Sequence, residues 1–160
     1  MSGGTSRRPV ILAAAIAGLA AAGCRPEPTG SVGPLTVSGV LVAAPVEGRA
    51  AMYFAVRNRS DEPDALIGVS LGAAARTELH RGGGGGRMAM MTRVSSLSVP
   101  ARGELRLSPG ADHVMLLDVT RTLEAGRRLT AELAFRRAGT VIVEAEVVPY
   151  ADLPARLPPE

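Results

Sequence analysis

The chain has 160 residues, yet it contains one cysteine, two histidines, no tryptophan and, among its 18 basic residues, no lysine. A single thiol cannot close an intramolecular disulfide, so the fold does not rest on a disulfide framework. Two histidines and one cysteine leave no material for a Ser/His/Asp or Cys/His catalytic arrangement. No pair of carboxylates stands at catalytic spacing either. The five glycines from Gly82 to Gly86 lack the Lys and Ser/Thr of a phosphate-binding loop. The expectation is a protein that is not an enzyme. Aromatics supply only 2% of the chain, so the core must be built from Val, Leu, Ala, Ile and Met. With no basic stripe interleaved with aromatics, nucleic-acid binding is not expected.

What remains is an ordinary globular balance, 46% hydrophobic and 21% charged, which argues against disorder. The N-terminal stretch is the exception. Arg7 and Arg8 precede an apolar run from Val10 to Gly23, 14 residues long and too short to span a bilayer. The run ends in Ala21-Ala22-Gly23-Cys24. Small residues directly before a cysteine resemble the lipobox of bacterial lipoproteins, although the usual Leu three places before the Cys is here Ala21. The resemblance implies that residues 1–23 form a signal peptide and that Cys24 becomes the acylated first residue. The protein is then exported and held by its lipid at the outer face of the cytoplasmic membrane or in the periplasm. Ser6-Arg7-Arg8 also resembles a twin-arginine export signal, which leaves the route open. Losing Arg7 and Arg8 lowers the formal charge from +3 to +1, so the basic pI says little about partners.

Residues 24–34 (CRPEPTGSVGP) read as a linker off the membrane, and residues 149–160 (PYADLPARLPPE) as an irregular Pro-rich tail. Between them, residues 35–148 form one folded domain. Its segments read as strands: Leu35–Val42, Ala50–Arg57, Ala65–Leu71, Thr77–His80, Met88–Val94, Ser96–Val99, Glu104–Leu107, His113–Val119, Arg128–Phe135 and Thr140–Val148. Turn signals such as Asn58–Asp64 and Ser108-Pro109-Gly110 separate them at intervals of roughly ten residues. No amphipathic stretch is long enough for a sizeable helix. This pattern predicts an all-β sandwich or Greek-key barrel.

Both histidines lie in the second half of that domain, and four of the five methionines after Met1 lie near them. Met88, Met90 and Met91 follow the glycine run; Met115 stands two residues after His113. Thioether sulfur is a poor ligand for hard cations but a good one for Cu(I), and imidazole binds copper in either oxidation state. A His/Met set without thiolate or carboxylate leaves Cu(I) its single positive charge, which limits affinity and permits handover. Residues i and i+2 of a strand share a face, so His113 and Met115 can approach one ion together. Methionine clusters also serve as core filler. On residue type alone, a soft-metal site and a packing cluster are both open readings.

Their spacing carries a resemblance that bears on the choice. His80, Met91, His113 and Met115 form an H-x10-M-x21-H-x-M pattern. It accompanies Met52-Tyr53-Phe54 with Asn58 before a turn, Glu78-Leu79-His80, Met91-Thr92-Arg93-Val94, Ser108-Pro109-Gly110, Leu133-Ala134-Phe135 and Ala138-Gly139-Thr140. Together these resemble the periplasmic copper chaperone family, the PCuAC domain, over most of residues 36–148. The resemblance implies a cupredoxin-like β-fold, Cu(I) as cargo, and His80, Met91, His113 and Met115 as its ligands. It further implies a copper-accepting oxidase subunit or another copper chaperone as partner, with copper delivered toward oxidase assembly. Two features depart from the family. Arg81 replaces the Met that often follows the first His, and the loop is almost all glycine. Met88 or Met90 can replace or supplement Met91. A blue-copper electron carrier is excluded because such sites need a Cys thiolate, and the only Cys is Cys24. The alternative from another class is a lipid-anchored β-sandwich with a structural or interaction role in the cell envelope and no metal.

Overall fold

A computed structural model describes residues 28–45, 47–83, 91–119 and 123–157. Alternating apolar and polar residues make these segments strands, because alternation gives each strand one face for a core and one for solvent. In chain order they are β1 (Pro28–Val32), β2 (Leu35–Ala43), β3 (Ala50–Asn58), β4 (Asp64–Leu71), β5 (Ala74–Gly82) and β6 (Met91–Val94). They continue as β7 (Leu97–Val99), β8 (Glu104–Arg106), β9 (His113–Val119), β10 (Arg128–Phe135) and β11 (Gly139–Val148). The all-β architecture expected from the spacing of turns is the one observed.

One sheet runs β6-β5-β9-β3-β2-β11-β10-β4-β7, with β1 added to β2 and β8 to β3. Pairings are antiparallel except β2 with β11. β4 and β5, far apart in that order, pack together through the turn at Gly72 and Ala73, so the strip curls into a nearly closed barrel. Its interior holds Leu35, Met52, Phe54, Leu66, Leu97, Leu107, Leu116 and Leu133, each essentially sealed from solvent. Burying one such side chain contributes about 1.5–3 kcal/mol, so this layer dominates the stability of a fold with so few aromatics.

Two strands divide their edges between partners. Gly39 in β2 takes φ +62°, and the β2–β3 register slips between Ser38 and Leu41. A bulge of this kind re-aims a strand. The first half of β2 pairs with β1 and the last three residues with β11. β3 likewise gives its C-terminal half to β8 and its N-terminal half to β9, which brings Met52 opposite Val114 and Ala51 opposite Met115.

Both ends depart from the sequence reading. Pro28–Val32, inside the stretch read as a linker, is β1, a strand in a hairpin with β2 that turns at Gly33 (φ +54°). Strand pairing is made by backbone groups, so a Gly/Ser-rich composition does not forbid it. The tail also has structure. Tyr150–Asp152 is a 3-10 turn, and Leu153–Arg156 forms one turn of helix, α1, with Pro154 in the first turn where a missing N–H is harmless. Leu153 is fully buried against Leu41, Ala43, Tyr53 and Val148, a small second cluster on the outside of the sheet. Residues 1–27, with Cys24 and the proposed signal segment, lie outside the described residues, as do Met88 and Met90.

Candidate metal centre

The site is built by the register of three adjacent strands, β6, β5 and β9. His80 pairs directly with His113, Glu78 with Met115, and Gly82 with Met91. Cross-strand partners share a face, and so do residues two apart along a strand. Glu78, His80, Met91, His113 and Met115 therefore all project from one face. The intervening residues Leu79, Val114 and Leu116 point the other way, into the barrel core. The site thus lies on the outside of the sheet, beside the small cluster under α1. The rings of Tyr53 and His113 stand 6.5 Å apart there.

The two imidazoles are close, with centroids 5.3 Å apart and planes nearly perpendicular at 66°. His113 is 5% exposed, whereas Met91 is 44% exposed. Met115 is half-buried. The four residues expected as ligands are thus brought to one face, with a closed side at His113 and an open side at Met91.

Hydrogen bonds define what each ring can offer. His113 Nδ1 lies 2.9 Å from the carbonyl oxygen of Ala111, which can only accept, so the proton sits on Nδ1 and Nε2 keeps its lone pair. His80 Nε2 lies 3.1 Å from Glu78 Oε2, which places its proton on Nε2 and leaves Nδ1 as an acceptor. That Nδ1 is buried and has no hydrogen-bond partner. An unsatisfied buried polar atom costs about 1–3 kcal/mol, and an electron-pair acceptor such as a metal ion would relieve that cost. Among the described residues no group of three His, Cys, Asp or Glu side chains is placed to hold a metal. Any ion held between these imidazoles would take its further ligands from the thioethers, and that donor set suits a soft ion.

Glu78 entered the sequence reading only within the segment Glu78-Leu79-His80 and was given no role, although its place two residues before His80 on a strand was the available signal. Its carboxyl is held below the usual carboxylate range. The hydrogen bond to His80 is the largest cause, opposed by burial and reinforced by the charges of Arg93 and Arg76. Arg93 Nη1 is 3.1 Å from Glu78 Oε1, and Arg76 Nε is 3.8 Å from the same oxygen. Gly82 has a steric reason to be glycine. A Cβ there would stand 2.6 Å from Ala111 Cα, so only glycine lets the loop before His113 close over β5. Asp112 accepts a bond from the Gly82 N–H at 3.2 Å and ties that loop down. Met52, the methionine far from the others in sequence, is fully buried in the core.

A copper-bound PCuAC domain from PmoF2 superposes with a TM-score of 0.65 and 30% identity, covering 74% of this chain and 96% of that one. The apo PCuAC domain from PmoF1 gives 0.65 and 29%, over 74% and 97%. The Cu(I) form of DR1885 from Deinococcus radiodurans, solved in solution, gives 0.61 and 33%, over 81% and 84%. The class is therefore that of the cupredoxin-like PCuAC domains. Residues 35–147 match the family described as "Putative lipoprotein LpqE-like", and the chain belongs to that family. A relative from Leifsonia xyli subsp. xyli, named "Putative lipoprotein Lxx21020", is 29% identical over 116 residues, 72% of this chain and 70% of its own length.

Proposed function

We propose that this protein carries one Cu(I) ion outside the cytoplasm, held by His80, Met91, His113 and Met115, and hands it to an acceptor protein. The observation that carries the reading is the direct pairing of His80 with His113, together with the unpartnered buried Nδ1 of His80. The names of its copper-bound structural neighbours support it. Two neutral imidazoles and two thioethers bind a monovalent soft ion without cancelling its charge, which suits a carrier more than a permanent store. Exposed Met91 is the ligand that an incoming donor group can displace first.

The lipid anchor on Cys24 belongs to the same proposal, supported by the lipoprotein names of the family and the relative and by the small residues before that cysteine. An anchored carrier works close to membrane proteins. A copper-accepting oxidase subunit, or a second chaperone that feeds it, fits that position.

The test is copper retention. Apo protein at micromolar concentration, mixed with Cu(I) under reducing conditions and desalted, should keep one ion per chain. Its thermal midpoint should rise, because a ligand that binds only the folded state stabilises it. A desalted protein free of copper and an unchanged midpoint would overturn the proposal in favour of a metal-free envelope protein.

A further inference from the structure

We infer that Glu78 is a positioning residue for the metal centre: its carboxylate fixes the proton of His80 on Nε2, so that His80 meets the ion through Nδ1 while His113 meets it through Nε2. The inference rests on the copper reading above and adds to it the role of a residue and the choice of atom on each ring.

The geometry divides the labour of the Glu78 carboxylate. Oε2 faces His80 Nε2 at 3.1 Å, and Oε1 faces Arg93 Nη1 at 3.1 Å and Arg76 Nε at 3.8 Å. Arg93 is the cross-strand partner of His80 itself, so the clamp is made by the same register that builds the site. The two arginines are exposed, at 69% and 60% of their side chains, while Glu78 is only 14% exposed and His80 17%. The arginines steady the far oxygen from solvent, and the near oxygen works against a shielded ring. A carboxylate that accepts a proton from the outer nitrogen of a ligating imidazole fixes its tautomer and raises its basicity, and such partners typically contribute 10–100-fold to metal affinity.

The two histidines are oriented by different means. His113 is set by a backbone carbonyl, which no substitution removes, and His80 by a side chain, which can be altered. The carboxylate also adds a negative charge one hydrogen bond away from a centre whose four ligands carry none. It therefore favours the bound cation without entering its coordination shell.

The experiment uses the Glu78→Gln variant and the wild type, each as apo protein and as Cu(I) complex. In the wild-type apo protein, nitrogen-15 chemical shifts of the imidazole should show His80 protonated on Nε2 and His113 on Nδ1. In Glu78→Gln the His80 signals should shift toward a tautomer mixture while those of His113 stay in place. Cu(I) affinity by chelator competition should fall 10–100-fold in the variant, with one ion per chain still bound at saturation. Glu78→Asp, which keeps the charge, should recover part of that loss. Arg128→Gln, which removes an exposed arginine paired with Glu144 away from the site, should leave the tautomer and the affinity unchanged and serves as the control for surface charge. A wild-type His80 protonated on Nδ1, or a variant with unchanged tautomer and affinity, would overturn the inference. The tautomer readout needs no copper, so a wild type that binds none would overturn the copper proposal and be recognised as that separate failure.

Discussion

The two faces of β6, β5 and β9 use the same strands for opposite ends. The inward face carries Leu79, Val114 and Leu116, all sealed in the core. The outward face carries Glu78, His80, Met91, His113 and Met115, polar or soft groups with graded access to solvent. Methionine appears on both sides of the barrel wall: Met52 is fully buried beside Phe54 and Val114, and Met91 is 44% exposed. Residue type therefore does not set the role of a methionine here. Its position in the alternation does. Changes on one face should move stability, and changes on the other should move copper.

The largest effect expected is on the outer face. Replacing His113 and Met115 by Ala together should abolish copper retention, lowering affinity at least about 100-fold, with the chain still folded by circular dichroism. A hundredfold is about 2.7 kcal/mol of binding free energy. The comparison is sharpened by a reciprocal pair. Met52→Ala should cost about 2–5 kcal/mol in urea unfolding, as large-to-small core substitutions do, with copper stoichiometry unchanged in the folded fraction. Met91→Ala should change stability by no more than about 0.5 kcal/mol and weaken Cu(I) binding. Equal stability losses in the two variants would break the distinction between the faces.

Gly82→Ala probes the joint between them. The added Cβ would strike the backbone of Ala111 at 2.6 Å, and overpacking of this kind costs about 1–3 kcal/mol. Because Ala111 also accepts the His113 Nδ1 proton, the same change should weaken copper binding, an effect read in the competition assay.

A smaller, pH-linked effect belongs to Tyr53. Burial, with the neighbouring Tyr150, pushes its phenol from 10.0 up to about 12. A raised value means the folded state favours the protonated phenol. The associated stability is complete below pH 10 and is lost as pH rises through 12, by up to about 3 kcal/mol at 1.36 kcal/mol per unit. Ultraviolet titration of a Tyr150→Phe variant, which leaves Tyr53 the only tyrosine, should show ionisation delayed toward pH 12 with unfolding alongside. Ionisation near pH 10 in the folded protein would contradict the packing of α1 over that ring.

Much of this was legible in the sequence. β9 and β10 fall where the alternation of His113–Val119 and Arg128–Phe135 places them. The shared face of His113 and Met115 follows from the two-residue period. The pairing of His80 with His113 could not be read that way, because register between strands 33 residues apart is set by the whole sheet order. β1 and α1 were missed for a different reason. Gly, Ser and Pro describe a chain's local preference, whereas the β2 edge and the pocket that takes Leu153 exist only after the barrel has formed. Glu78 stood two residues before His80 in plain view. Its meaning depended on a hydrogen bond that only the folded strand makes.

The central claim is that two imidazoles and two thioethers on the outer face hold one ion in common. X-ray absorption at the copper edge, on protein loaded with one equivalent of Cu(I), tests it most directly. The spectrum should be that of Cu(I) with about two nitrogen and about two sulfur neighbours, and the sulfur count should halve in Met91→Leu. A copper environment with no sulfur, or one unchanged when both His80 and His113 are replaced by Ala, would contradict the account.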